Sequence, residues 1–188
     1  MNKNRYGLWG FFLFVGIAII WSIGSYNSLL VYKQDVDHQW SQVETQYQRR
    51  LDLIPNLVAA TKGYMKHEQG VLENLANARK GYANARNTAD QINTISEMDG
   101  ALSRLLMVVE NYPDLKANQT IHALTDEIAG TENRIAVERK RFNDTVRRYN
   151  LRVQTFPSKI VASIFNFEQY PYLKAQVEAA QAPKISFD

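Results

Sequence analysis

Apolar residues recur along this chain at the spacing of a helix face. In residues 36–61, Val36, Trp40, Val43, Tyr47, Leu51, Ile54, Val58 and Thr61 are separated by 4, 3, 4, 4, 3, 4 and 3 positions. That alternation predicts one long helix, close to a coiled-coil seam. A second helix is expected from His67 to about Ala85, with Leu72, Leu75, Ala78 and Tyr82 inward. A third runs from about Asp90 to Glu110 through Ile92, Ile95, Met98, Leu102, Leu105 and Val109, and Pro113 stops it. A fourth, about 115–156, keeps the period through Ile121, Leu124, Ile128, Thr131, Ile135, Phe142, Val146, Tyr149, Val153 and Phe156, with Glu138 in one slot and Pro157 at the end. Short links favour antiparallel neighbours, so the predicted fold is all-α, an elongated up-down-up-down four-helix bundle.

Before this pattern, no charge stands between Arg5 and Lys33, and residues 8–23 are apolar apart from two glycines and a serine. The stretch exceeds the ~20 residues a bilayer requires, and Trp9 and Trp21 suit its two interfaces. A retained anchor is the reading favoured over a signal peptide cleaved near Ser22-Ile23-Gly24, because the apolar run continues into the helical pattern. The expected division is a tail at 1–5, a membrane helix at 6–26, a bundle at 27–156, and short amphipathic helices with a C-terminal tail at 157–188. Lys3 and Arg5 before the span place the N-terminus in the cytoplasm and the bulk of the chain outside the plasma (inner) membrane, in the periplasm.

Length adds a second expectation. Residues 27–66 make a helix of about 60 Å, and the fourth helix matches it, whereas the second and third reach roughly half as far. The membrane-side halves of the first and fourth helices then lack neighbours. Trp40 and Tyr149 are therefore expected to be covered by other copies of the chain, which makes a homo-oligomer. The fourth helix also delivers FPSKIVASIFNF, residues 156–167, where Ile160, Val161, Ile164 and Phe165 are expected to share a face behind a basic approach that includes Arg147, Arg148, Arg152 and Lys159. Such a segment either lies against membrane lipid or an adjacent subunit, or folds back on the bundle.

Composition narrows the chemistry. The chain has 188 residues, 22% of them charged, and no cysteine, which excludes disulfides, thiolate metal sites and a cysteine nucleophile. The net charge of +3 comes largely from the first residues; the remainder carries 20 basic and 19 acidic side chains, so the pI near 9.0 is no argument for nucleic acid. His38, His67 and His122 are the only imidazoles, and no Glu-x-x-His, H-E-x-x-H, phosphate loop or G-x-S-x-G occurs. No enzyme, metal or cofactor is expected.

The remaining candidates are polar. Gln42, Gln46, Gln48, Arg49, Arg50, Asp52 and Asn56 line the first helix around Pro55, and Glu132, Asn133, Arg134 and Glu138 stand on the fourth. Arg50 or Arg49 is expected to pair with Glu132 or Glu138, and Asp52 with Arg134, fixing the register of antiparallel helices. Asn56 could bond the carbonyl that Pro55 orphans. Pro55 itself reads as a kink, with a hinge or binding spot as the alternative.

Two blocks, YNSLLVYKQDVDHQWSQVETQYQRRLDLIPNLVAATKGYMKHEQGVL and YPDLKANQ…GTENRIAVERKRFNDTVRRYN…FP, resemble the LemA family of bacterial membrane proteins over about Tyr26 to Tyr172. The family pattern falls on Arg49, Arg50, Asp52 to Val58, and Glu132, Asn133 and Arg134. The resemblance implies one transmembrane helix and a helical bundle, no established catalysis, and a role in envelope maintenance. The leading functional expectation is a self-associating membrane scaffold with envelope proteins as further partners. The runner-up is a bundle that senses a ligand and signals through its first helix.

Overall fold

The computed structural model describes residues 3–65 and 68–173, with side chains from Leu8 onward; the expectations for His67 and for residues 174–188 lie outside the described residues. The fold is all-α, with α1 at Lys3–Thr61, α2 at Gln69–Ala83, α3 at Thr88–Asn111, α4 at Pro113–Lys116, α5 at Gln119–Gln154 and α6 at Ser158–Ile164. No strand occurs among the described residues.

Local chemistry sets several boundaries that periodicity misplaces. α3 starts two residues earlier than expected because Asn87 caps it: its side chain accepts from the Asp90 N–H at 2.9 Å and donates to the Asp90 carboxylate at 3.0 Å. The expected fourth helix is divided. Pro113 opens the single turn α4, and Asn118 then caps α5 by accepting from the N–H groups of Thr120 and Ile121. α1 continues through Pro55 to Thr61, and Asn56 stands exposed instead of folding back on the helix.

The chain divides into two compact units. One, residues 40–142 together with the described residues 171–173, holds the four-helix bundle. Its cross-helix contacts set the directions: Trp40 meets Phe142 while Arg50 meets Thr131, so α1 and α5 are antiparallel. Trp40 meets Gln91 while Tyr47 and Arg50 meet Asp99, so α1 and α3 run parallel. Leu51, Ile54, Leu57, Leu75, Ile95, Met98, Leu105, Ile128 and Ile135 fill the core.

The other unit holds residues 1–39 and 143–170. Here α5 ends and the chain turns through α6. Asn166 at φ 56° closes α6, with the Phe167 N–H bonded to the Ala162 carbonyl at 2.9 Å. This is a Schellman ending with asparagine in the left-handed position, where its side chain is tolerated. The turn sends residues 167–170 back along α5. The Asn150 amide accepts from the Tyr170 N–H at 3.0 Å and donates to the Tyr170 carbonyl at 2.9 Å. The Tyr149 hydroxyl donates to the Glu168 carbonyl at 2.8 Å, and the Tyr170 hydroxyl donates to Asp37.

These contacts overturn the reasoning that left the membrane-side halves of α1 and α5 uncovered. Val36, Trp40, Val43, Val146, Tyr149 and Val153 are all buried within this one chain. Trp40 is covered by Phe142, its ring centroid 5.3 Å away, and by Gln91, which accepts its indole N–H at 3.0 Å. Tyr149 is covered by Tyr170, at 5.5 Å between centroids. Counting helices by length omitted the returning segment and set the start of α3 short of Trp40, which Gln91 in the first turn of α3 reaches.

Candidate functional site

Arg49 and Arg50 are adjacent, so their side chains leave the helix about 100° apart. Arg50 lies three residues after Tyr47 and four before Ile54, which turns it inward; it is 1% exposed. Arg49 turns outward and pairs with Glu127 at 3.0 Å, on the surface.

Arg50 spends its whole guanidinium on bundle partners. Nη1 donates to Asp99 on α3 at 2.8 Å, Nε to the Thr131 hydroxyl on α5 at 3.2 Å, and Nη2 to the Glu132 carboxylate. The Thr131 hydroxyl in turn donates to the Ile128 carbonyl at 2.6 Å. Asp99 is the second centre. Its other oxygen accepts from the Tyr47 hydroxyl at 3.3 Å and lies 3.8 Å from the Arg139 guanidinium. The Tyr47 ring sits 5.7 Å from the Arg50 guanidinium carbon, within cation–π range. Burial, and next the negative charge of Asp99, push the Tyr47 phenol above its ordinary pKa, so it is a neutral donor.

Two cations, Arg50 and Arg139, thus face two anions, Asp99 and Glu132. A cluster of this kind has little net charge, and each member satisfies another. Its members come from three helices, so it closes only when α1, α3 and α5 are in register. Buried ion pairs offset their own desolvation at best, and their removal one partner at a time is costly. The arrangement is therefore suited to specifying which helices meet, and at which residue. It offers no nucleophile or proton relay opening to solvent. Among the described residues no group of three or more His, Asp or Glu side chains could hold a metal ion.

The other residues singled out by sequence are dispersed. Asp52 accepts from Gln48 at 3.0 Å, one turn back on α1, and does not reach Arg134, which is exposed beside Gly130. Glu138 pairs with Arg141 on its own helix at 2.7 Å. Asn133 is exposed, and Pro55 stands at the surface between α1 and α2. Trp40 and Tyr149 are interior. Ile160, Ile164 and Phe165 are exposed, together with Phe156 at 80%. Val161 does not share their face as expected: it turns inward with Ala162 to form the buried side of α6, and the Phe165 ring packs 4.8 Å from Tyr26 beside Phe14, Ala18 and Ile19 of α1.

Asp99, like Arg139, is a member that sequence reading missed. It lies four residues after Ile95 and three before Leu102, both inward, and that position was the available signal. Asn150, Asp37 and Tyr170 were also missed, since a bond twenty residues along the chain to a non-helical segment leaves no period.

Comparison with known proteins adds the following. The family model described as the LemA family matches residues 39–187. The magnetosome protein MamQ of Magnetospirillum gryphiswaldense is 25% identical over 173 residues, covering 78% of this chain and 64% of that protein. The alignment therefore spans just under two thirds of that relative's length. The magnetosome protein MamQ 2 of Paramagnetospirillum magneticum is 24% identical over 187 residues, covering 86% and 68%. The protein LemA of Metamycoplasma hominis is 22% identical over 179 residues, covering 95% and 80%. Neither LemA nor MamQ is a known enzyme family.

Proposed function

This chain belongs to the LemA family, and from that premise we propose that it is a membrane-anchored, non-enzymatic helical scaffold of the bacterial envelope. Residues 6–26 supply the anchor, in a helix long and apolar enough to cross a membrane. Lys3 and Arg5 favour a cytoplasmic N-terminus with the bundle in the periplasm. The relatives that are named as magnetosome proteins support a part in a larger cellular assembly.

The observation that carries this reading is the outward face of α6. Phe156, Ile160, Ile164 and Phe165 are exposed in the same unit as the apolar part of α1, where Phe12, Leu13, Ile20 and Ile23 are also exposed. Exposed side chains of this size in both elements suit a hydrocarbon surrounding. α6 then acts as a collar resting on the lipid, and self-association, where it occurs, uses this face and not Trp40 or Tyr149.

The chain is free of cysteine, so one introduced cysteine reports on one place. An environment-sensitive dye on Ile164→Cys in full-length protein in nanodiscs should emit as in an apolar medium and be quenched by lipids carrying a quencher on their tails. Emission like that of a water-exposed dye, unaffected by such lipids, overturns the collar. Cysteine at Gln119 should react with an impermeant maleimide in intact spheroplasts; labelling only after lysis reverses the orientation.

A further inference from the structure

The bundle has an open groove that the buried ion cluster does not explain. It lies between α1 and α2, holds about 590 Å³, and has Pro55 on its edge. A helix pair normally closes such a gap by interdigitating large side chains. Here α2 presents Ala76 and Ala83 to it, two residues too short to reach α1. Leu51, Ile54 and Val58 form an apolar wall on α1, and Leu72 faces them from α2. Pro55 belongs to the same face, four residues after Leu51. Having no N–H, Pro55 cannot donate to the Leu51 carbonyl as an ordinary helical residue does.

Tyr82 is the second, independent feature. It lines the groove and is only 4% exposed, and its hydroxyl has no hydrogen-bond partner among the described residues. Buried hydroxyls in folded proteins nearly always have one. Burial, and next the nearby charge of Glu44, hold the phenol above its ordinary pKa, so the group is a donor awaiting an acceptor.

Charge at the rim narrows the acceptor. The Glu44 carboxylate already accepts from the Gln91 amide at 3.0 Å. Arg79 and Lys80 stand exposed at the same rim. Two cations and a phenol donor, against the single Glu44 carboxylate, are thus set around an apolar trough whose volume falls in the usual ligand range of roughly 300–1,000 Å³. We propose that this groove binds a small amphipathic carboxylic acid, its apolar tail along Leu51, Ile54 and Leu72 and its carboxylate at Tyr82, Arg79 and Lys80. The site lies on the helix that carries the apolar anchor segment, and it does not depend on the scaffold reading.

The test uses full-length protein in nanodiscs and a ten-carbon carboxylic acid bearing a diazirine on its tail. After irradiation, labelled peptides are mapped by mass spectrometry, which separates groove labelling from labelling of residues 6–26 by acid dissolved in the bilayer. Labelling is expected on 51–58 and 72–83, and decanoate should compete while decylamine does not. Ala76→Trp, which fills the trough, should abolish it. Tyr82→Phe keeps the ring and removes the donor; groove labelling should fall about three- to tenfold while the melting temperature holds or rises. Labelling confined to residues 6–26 overturns the site. Equal competition by decylamine overturns the acid as ligand, and full labelling of Tyr82→Phe overturns the role of the hydroxyl.

Discussion

Two stretches of α1 and α5 bury polar side chains between them, and they do so by opposite means. Around Arg50 the buried groups are ions from three helices, satisfied by one another. Around Tyr149 and Asn150 they are neutral, satisfied by the backbone of a segment that returns after α6. Ions demand partners of opposite sign at fixed places, so the first arrangement is selective about which helices assemble. Amide and phenol groups bonded to backbone ask only that a chain pass by. The first is suited to register and the second to covering an edge.

The comparison is sharpest under mutation. Arg50→Ala leaves Asp99 and Glu132 without their main cation, and should cost about 3–5 kcal/mol in chemical denaturation, or prevent folding. The double variant Arg50→Met with Asp99→Leu should recover only part of that loss, because one ion pair is then apolar while Glu132, Arg139 and the Tyr47 hydroxyl each lose a partner. Stability of the double variant no better than that of Arg50→Ala would mean the cluster is more than a register device.

Asn150→Ala removes both bonds to the Tyr170 backbone. We expect a loss of about 1–3 kcal/mol, accompanied by faster hydrogen exchange in 166–170 and no change around Asp99. Exchange that quickens equally in both places would join what the structure keeps separate.

Alkaline pH probes the neutral stretch further. Burial, followed by the charges of Asp37 and Glu168, pushes the Tyr149 phenol up to about 12, from 10.0. A folded state that holds its proton more tightly than the unfolded chain is fully favoured below the unfolded pKa. Its contribution is then lost as pH rises from about 10 to about 12. Tyr47, Tyr82 and Tyr170 shift in the same direction. Stability should therefore fall above pH 10, and Tyr149→Phe should flatten part of that fall while costing about 1 kcal/mol at neutral pH. A denaturation series from pH 8 to pH 12 measures both.

The smallest effect belongs to the neighbour of the most sensitive residue. Arg49→Ala breaks an exposed pair with Glu127 and should change stability by under about 0.5 kcal/mol. A larger loss would mean that Arg49 also takes part in the cluster.

Much of the fold was legible because helical burial is periodic. The run from Val36 to Thr61 and the run from Ile121 to Val153 both name residues that line the interior. The ends of α3 and α5 were less so, since Asn87 and Asn118 act through a single side-chain bond each. Of the candidate site, Arg50 and Glu132 carried a charge signal in a shared motif. Asp99 stood in no such motif, and its inward place between Ile95 and Leu102 was its one signal. Tyr82 read as an ordinary core aromatic; only its unbonded hydroxyl and the two short alanines opposite α1 mark the groove. The return through Asn166 was hidden because a left-handed turn and a bond from Asn150 to Tyr170 have no repeat.

The ion cluster also imposes an order on synthesis. Arg50 is made early, just after the apolar stretch, while Asp99 follows 49 residues later and Glu132 82 residues later. Until Asp99 is made its guanidinium has neither carboxylate to meet and stays in water, which holds the inward face of α1 open around it. A nascent chain halted before Thr131 has one carboxylate partner of two, and one halted before Asp99 has none. Burial of this arginine thus reports that α5 has arrived, and a protease that reads its exposure times the closing of the bundle after the chain has crossed the membrane.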